Sequence, residues 1–263
     1  MSEQVMFILY GAGANGKSTF LNTLMEIMGD YAMSTPTATF MKKYGEGISN
    51  DIARLRGTRF VTTVEAEEGK RMSEPLIKQI TGQDMMTARF LYGEYFDFLP
   101  TFKIFMATNH KPVIRGNDHG IWRRIKLIPF TVTIPYEERD PDLMQKLRAE
   151  REGILNWMVD GCLMWQKERL GEPEAVRIAT GEYQEEMDEI GMFLQECTAK
   201  DSMGVSKITS ADLYRSYMGW CEKNSERPYS QRMFAIHVQN AGIERERTTK
   251  ARYWVGITIK NEG

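Results

Sequence analysis

Cysteine is scarce in this chain of 263 residues: Cys162, Cys197 and Cys221 are its three, an odd number and widely spaced. A disulfide framework and a cysteine zinc site are excluded, and a reducing compartment is implied. Histidine is equally rare, with three residues, His110, His119 and His237, at no metal-ligand spacing. No apolar run approaches the length of a membrane span, and the first residues lack the basic and apolar zones of a secretory signal. A cytoplasmic protein without a membrane partner is expected. Net charge is also low, −2, but unevenly laid out. Residues 1–135 carry 16 Lys/Arg against 13 Asp/Glu, residues 136–206 carry 8 against 17, and residues 207–263 carry 10 against 6. Two mildly basic stretches flank an acidic one. A basic end suits nucleic acid, and an ordinary solvated surface shows as much. With 42% hydrophobic and 27% charged residues the chain is long enough for one large or two modest cores.

The most informative stretch is Val5 to Phe20. Val5-Met-Phe-Ile-Leu9 is a short apolar run, as a buried parallel strand is. Gly11-Ala-Gly-Ala-Asn-Gly-Lys-Ser-Thr19 follows and satisfies G-x-x-x-x-G-K-[ST], and Asn22 to Met28 continues with helical apolar spacing. Strand, glycine turn and helix in that order are the context a phosphate loop needs. Gly11, Ala12, Gly13, Ala14, Asn15, Gly16, Lys17, Ser18 and Thr19 are therefore the candidate nucleotide cradle. Backbone N–H groups there point at a polyphosphate, Lys17 reaches the β- and γ-phosphates, and the Ser18 hydroxyl ligates Mg²⁺. ATP and Mg²⁺ are the expected cofactors.

Downstream, Arg59 to Val64 is β-branched and apolar, a second core strand delivering Glu65-Ala-Glu-Glu68. Carboxylates at the exit of such a strand hold Mg²⁺ and orient and deprotonate the attacking water. Glu65, Glu67 and Glu68 compete for these two roles; a solvated acidic loop is the plainer alternative. Met72 to Ile80 is helical. Met86 to Tyr92 and Tyr95 to Leu99 read as a hairpin around Gly93-Glu94, displaying Arg89, Tyr92 and Tyr95. Aromatic and basic residues there suit stacking on single strands, or serve packing. Phe102 to Ala107 is a third core strand ending at Thr108-Asn109, whose amide can hold the lytic water. Arg123 and Arg124 open a fourth strand, where a guanidinium can meet a transition-state phosphate. From Asp140 to Leu170 the chain is helical, with Ile154, Trp157, Met158, Cys162 and Trp165 on one face expected to be core. Helices follow towards Tyr183 and over residues 188–197, and residues 201–205 read as a linker. Helices 209–223 and 230–240 and two β-like stretches, 243–247 and 253–259, have the layout of a winged helix, a form that binds DNA or docks protein.

Together, the Gly11–Phe20 loop, the Glu65 strand exit, Lys78 to Arg89, Ala107-Thr-Asn-His110 and Ile121-Trp-Arg-Arg124 resemble superfamily 3 helicases, nearest the phage, plasmid and poxvirus-type primase–helicases. Gly153 to Trp157, Tyr183, 188–194 and Trp254-Val-Gly256 extend the likeness over nearly the whole chain. The resemblance implies an α/β fold: an AAA+-like P-loop NTPase core over 1–135, a helical segment over 136–200 and a winged-helix domain over 207–263. It implies a ring, usually a homo-hexamer, on single-stranded or forked DNA, with a primase or polymerase region in cis or in trans. Carried over, Lys17 and Ser18 bind nucleotide and Mg²⁺, and Glu65 with Glu67 or Glu68 supplies the acidic strand exit. Asn109 takes the sensor position, and Arg124, with Arg123 second, reaches a neighbouring subunit's nucleotide. The Arg89–Tyr95 hairpin engages DNA. Its tip departs from viral initiator relatives, which present a lysine or histidine where this chain has Gly93 and Glu94. The chain also begins ten residues before Gly11, ahead of which such proteins carry a helical collar, so a monomeric or weakly associated state is an expectation too. A nucleotide-switched initiator without unwinding and a P-loop small-molecule kinase are the rival readings.

Overall fold

Apolar runs that read as buried strands do assemble into one parallel sheet. The computed structural model describes residues 2–43, 50–64, 68–116, 118–201, 204–249 and 251–260. Its first elements are β1 (Met6–Tyr10), α1 (Lys17–Met28), β2 (Ala32–Ser34), α2 (Asn50–Ala53), β3 (Phe60–Val64) and α3 (Glu74–Thr81). Then come β4 (Met86–Arg89), β5 (Tyr95–Phe98), β6 (Lys103–Thr108), α4 (His119–Trp122), β7 (Ile125–Pro129), α5 (Leu143–Ala149), α6 (Arg151–Glu168) and α7 (Glu174–Glu186).

The sheet runs β2-β3-β6-β1-β7, every neighbouring pair parallel. All five strands therefore point their carboxyl ends to one edge, where open α/β sheets bind ligands. Register matters for what reaches that edge: Tyr10 pairs with Thr108 and Val64 with Ala107. The loop after β1, the turn after β6 and the exit of β3 thus emerge side by side. Strands that are covered on both faces read as continuous apolar runs, and Met6, Ile8, Leu9, Val61, Ile104, Met106 and Ile125 are all at most 1% exposed. Each such burial is worth about 1.5–3 kcal/mol. Leu21 and Leu24 of α1 pack on Leu9, Phe60 and Ala107, which fixes the helix against the strand ends it serves.

The helix α6 departs from its expected burial. None of its residues is fully buried; Ile154 and Met158 are half-buried against the α1 cluster, while Trp157 is 61% exposed and Cys162 lies at the surface. A helix lying on the outside of a sheet–helix layer needs only a narrow stripe, and the 3.6-residue period gives Ile154 and Met158 that stripe but not Trp157.

The chain divides into two units, residues 1–183 and 184–263, so the helices of the 136–200 stretch are shared between them. The second holds α8 (Glu189–Cys197), β8 (Thr198–Lys200), β9 (Lys207–Thr209), α9 (Ser210–Lys223), α10 (Gln231–Asn240), β10 (Arg245–Arg247), β11 (Arg252–Val255) and β12 (Ile257–Ile259). Asp188, Thr209 and Ser230 each cap a helix through a side-chain oxygen, accepting from Gly191, Asp212 and Met233 N–H. Strands β10, β11 and β9 form an antiparallel sheet in that order, and β12 pairs with β8. Phe193, Leu213, Tyr217, Phe234, Val238 and Trp254 are the centre of its core. Within it the Glu189 carboxylate accepts the Tyr217 hydroxyl, and Tyr229 N–H donates to that hydroxyl at 3.0 Å. Burial, first, and then the Glu189 hydrogen bond push the Tyr217 hydroxyl well above its ordinary pKa.

Candidate active site

The loop after β1 adopts the shape its glycines permit. Gly13 and Gly16 have φ of 104° and 84°, the left-handed side that only glycine reaches freely. Gly11 serves a different need: a Cβ there would collide with the Phe130 carbonyl and the Asn15 amide. Asn15 Nδ2 donates to Phe130 O at 3.1 Å, tying the loop to the end of β7. Gly16 caps α1 without a side chain, which leaves the first N–H groups of the twelve-residue helix to an anion.

Lys17 opens α1 and is buried. Its ammonium donates to Gly11 O at 2.7 Å, Asn15 Oδ1 at 3.0 Å and Asn109 Oδ1 at 3.1 Å. Among the described residues the three donors meet three neutral acceptors and no carboxylate, and burial lowers the lysine's pKa. A buried ammonium bonded to neutral acceptors is stabilised further by an anion.

Asn109 reaches the lysine because β6 lies between β1 and β3. Thr108 Oγ1 donates to His110 O at 2.7 Å and accepts from His110 N–H at 3.1 Å, closing the turn that projects the amide. On the other flank Thr37 Oγ1 bonds Thr63 Oγ1 at 2.6 Å and donates to Val64 O at 2.8 Å, which fixes the exit of β3. Glu65 and Glu67 lie outside the described residues, and Glu68 is exposed. Ala12, Ala14 and Ser18 are exposed, Thr19 half-buried. Gly13 to Thr19, Val64, Ala107, Thr108 and Asn109 enclose a cavity of about 240 Å³. Among the described residues no group of three acidic, histidine or cysteine side chains could hold a metal.

The two arginines differ in environment. Arg124 is 9% exposed, and its guanidinium donates to Thr81 Oγ1 at 3.1 Å, Gly120 O at 2.5 Å and Gln4 Oε1 at 3.2 Å. Burial, with Arg123 alongside, lowers its pKa. The residue expected to reach a neighbouring subunit is thus bonded inside its own. Arg123 is exposed and donates to Gln4 Oε1 at 2.8 Å. Both sit on the turn after α4, just ahead of β7 and not in it. The alternation of exposed and buried comes from that turn, which spacing alone did not reveal.

The hairpin forms, β4 against β5 with Arg89 opposite Tyr95, but its first strand ends at Arg89 and not at Tyr92, and residues 90–94 make the connection. The Arg89 guanidinium lies 5.0 Å from the Tyr95 ring centroid. Tyr92 is 99% exposed with φ 61°, a conformation unfavourable for a bulky residue. Phe90, Leu91, Tyr92 and Tyr95 make an exposed apolar tip. Thr37 and Thr108, which brace the two strand ends beside the cavity, carried no sequence signal: Thr37 lies in a short turn after β2, and Thr108, in β6, reads as β-propensity.

A parallel five-stranded sheet with this loop at its carboxyl edge fits a P-loop NTPase-like core. Comparison with known proteins is consistent with that class. The family described as "Family of unknown function (DUF5906)" matches residues 9–124, and "Poxvirus D5 protein-like" matches residues 185–241. "Putative helicase L207/L206" of Acanthamoeba polyphaga mimivirus is 28% identical over 242 residues, covering 85% of this chain and 25% of that protein. "Putative helicase 022R" of Frog virus 3 is 28% identical over 243 residues, with the same coverage of 85% and 25%. Other relatives bear the name "Putative primase". The apo structure of the NrS-1 C-terminal region aligns with a TM-score of 0.57 at 12% identity, over 97% of this chain and 67% of that one, a likeness of fold. The chain is similar to proteins named "Putative helicase" and "Putative primase" in large DNA viruses, and its residues 185–241 match the poxvirus D5-like model. It spans about a quarter of the length of the curated relatives it matches. Among the described residues no helix is long and apolar enough to cross a membrane.

Proposed function

We propose that this chain is the ATP-hydrolysing motor part of a replicative DNA helicase, acting in the cytoplasm beside a primase module in cis or in trans. The observation that carries the reading is the Lys17–Asn109 contact: a phosphate-loop lysine and a polar strand-end residue meet in one cavity. ATP would seat its phosphates on the N–H groups of Gly13 to Thr19, and Lys17 would exchange its neutral acceptors for β- and γ-phosphate oxygens. Ser18, an exposed hydroxyl at the cavity, and Glu65 would hold Mg²⁺, an oxygen donor set suited to a hard cation. When bound, that ion neutralises charge on the β- and γ-oxygens. Asn109 and one carboxylate among Glu65, Glu67 and Glu68 position a water. The carboxylate takes its proton, the water oxygen bonds the γ-phosphorus, and the bond to the ADP oxygen breaks.

Arg123 is the better candidate for charge contact with a neighbour's nucleotide in a homo-hexameric ring, since its guanidinium is at the surface. Arg89, Tyr92 and Tyr95 would grip single-stranded DNA by stacking and phosphate contact. In residues 184–263, a helix pair followed by the β10–β11 hairpin, with β9 at the edge of its sheet, supports the winged-helix reading. The names of the viral relatives support replication as the setting. Titration with a fluorescent ATP analogue and Mg²⁺ tests the site: saturable binding lost in Lys17→Ala supports it, and equal binding by wild type and variant removes the loop from the site.

A further inference from the structure

The tip of the β4–β5 hairpin and the nucleotide cavity are joined by side chains that belong to neither. Leu91, in the connection between the two strands, donates its N–H to Asn50 Oδ1 at 3.2 Å. Asn50 opens α2, whose Ile52 and Ala53 are buried, so the tip is tied to an element anchored in the core. Arg56, just past α2, adds a second contact, its guanidinium 5.1 Å from the ring centroid of Phe96 on β5. Beyond α2 the contacts continue: Thr39 Oγ1 donates to Asp51 Oδ2 at 3.3 Å. Thr39 is buried and is the last residue of the short turn Thr37–Thr39. Its one O–H is spent on Asp51, so its oxygen accepts from Thr35 Oγ1 at 3.2 Å. Thr37, in the same turn, bonds Thr63 Oγ1 and Val64 O, and Val64 lines the cavity.

The two ends of this path differ in what they do. An exposed hydrogen bond such as Leu91 to Asn50 stabilises a fold little, because water competes for both partners. What it fixes is direction: it holds the residue immediately before Tyr92, whose φ of 61° persists only where the surroundings impose it. At the other end Thr35, Thr37 and Thr39 are all buried beside the β3 exit. Apolar side chains there would pack without a preferred direction. Hydrogen-bonded hydroxyls in a close-packed interior have fixed geometry, so a shift of the β3 exit is passed on to Asp51 and not absorbed.

We infer that Thr39, Asp51 and Asn50 are positioning residues that link the β3 exit to the hairpin tip, so that nucleotide in the cavity and single-stranded DNA on the tip alter each other's affinity. The inference deepens the motor reading and rests on it, since that reading puts the two ligands at the two ends. Nucleotide entering beside Val64 displaces the β3 exit, the turn Thr37–Thr39 and α2 follow as one body, and the bond to Leu91 carries the shift to Tyr92. The effect is reciprocal: the factor by which nucleotide changes DNA affinity is also the factor by which DNA changes nucleotide affinity.

The affinity of the full chain for a fluorescein-labelled single-stranded oligonucleotide is measured with and without a saturating non-hydrolysable ATP analogue and Mg²⁺; the ratio is the coupling factor. Wild type should give about fivefold or more. Asn50→Ala should bring the factor close to one, and because Asn50 is exposed that variant should melt as wild type does. Asn50→Asp keeps an oxygen for the Leu91 N–H and should restore the factor. Thr39→Val cuts the same link nearer the cavity and should match Asn50→Ala. The double variant should lose no more than either single one, as a shared path requires and two separate injuries do not. A wild-type factor retained in Asn50→Ala overturns the inference, and so does an Asn50→Asp variant that behaves as Asn50→Ala does. Weaker DNA binding by Asn50→Ala at an unchanged factor also overturns it, since Asn50 would then only brace the tip. A wild type that binds both ligands with a factor of one overturns the inference and leaves both sites standing. A wild type that binds only one of them overturns the motor reading as well.

Discussion

Asn109 accepts a hydrogen bond from the Lys17 ammonium at 3.1 Å, although 92 residues separate them. The contact exists because β6 is inserted between β1 and β3, and it ties the residue after β6 to the loop after β1. Replacing Asn109 by Ala leaves Lys17 its other two acceptors, so nucleotide affinity should change by only a few-fold. Hydrolysis should fall about a hundredfold, the usual cost of one preorganised polar group. Single-turnover rates and analogue titration on the same preparation separate the two effects, and a parallel loss of binding would mean that Asn109 holds substrate.

Arg123→Ala and Arg124→Ala should part company. Arg124 makes three hydrogen bonds from a buried position, so its removal leaves Thr81 and the Gly120 carbonyl short of partners at a cost of about 1–3 kcal/mol. That lowers the melting temperature by several degrees. Arg123→Ala should melt as wild type does and lose hydrolysis. If Arg123 acts on a neighbour, mixing Arg123→Ala with Lys17→Ala should restore part of the activity, since a mixed ring contains intact sites. No restoration at any ratio would confine Arg123 to its own chain.

Tyr92 contributes nothing to the core at 99% exposure and holds φ at 61°. Tyr92→Gly therefore relieves the backbone while removing the ring. Its stability should be equal or slightly higher, and affinity for single-stranded DNA should drop by about 1–3 kcal/mol, the worth of a stacked base. Unchanged affinity would leave the hairpin a packing element.

Cys221 is 1% exposed, and its thiol is pushed up to about 11, chiefly by burial, with Glu189 adding to the shift. A thiol raised above its unfolded value favours the fold while protonated. That contribution is complete below pH 9.0 and is lost as pH rises towards about 11. Alkylation at pH 8 read by mass spectrometry should mark the exposed Cys162 quickly and Cys221 only in denaturant. Equal rates would contradict the packed core of the second unit.

What was legible in the sequence was local. The strand, loop and helix from Val5 to Met28 each follow from neighbours a few residues apart, and so do the hairpin of residues 86–98 and the helices after Thr209 and Ser230. What was hidden depends on distant partners. The order of strands, which brings Asn109 and Val64 to the loop, is set by packing across the sheet. The burial of Arg124 depends on Gln4 and Thr81, far away in sequence. Trp157 was expected in the core by periodicity, but α6 covers the sheet with only a narrow stripe. The short strands β2, β8 and β9 have three residues each, too few for alternation to show.

The central claim is a DNA-driven, ring-forming ATPase, and the most direct measurement is the steady-state rate of ATP hydrolysis with and without single-stranded DNA at two protein concentrations. The account predicts that the rate per chain rises with DNA and with concentration, because a neighbour's arginine completes each site. A rate per chain indifferent to both would contradict it and point to a nucleotide site complete within one subunit.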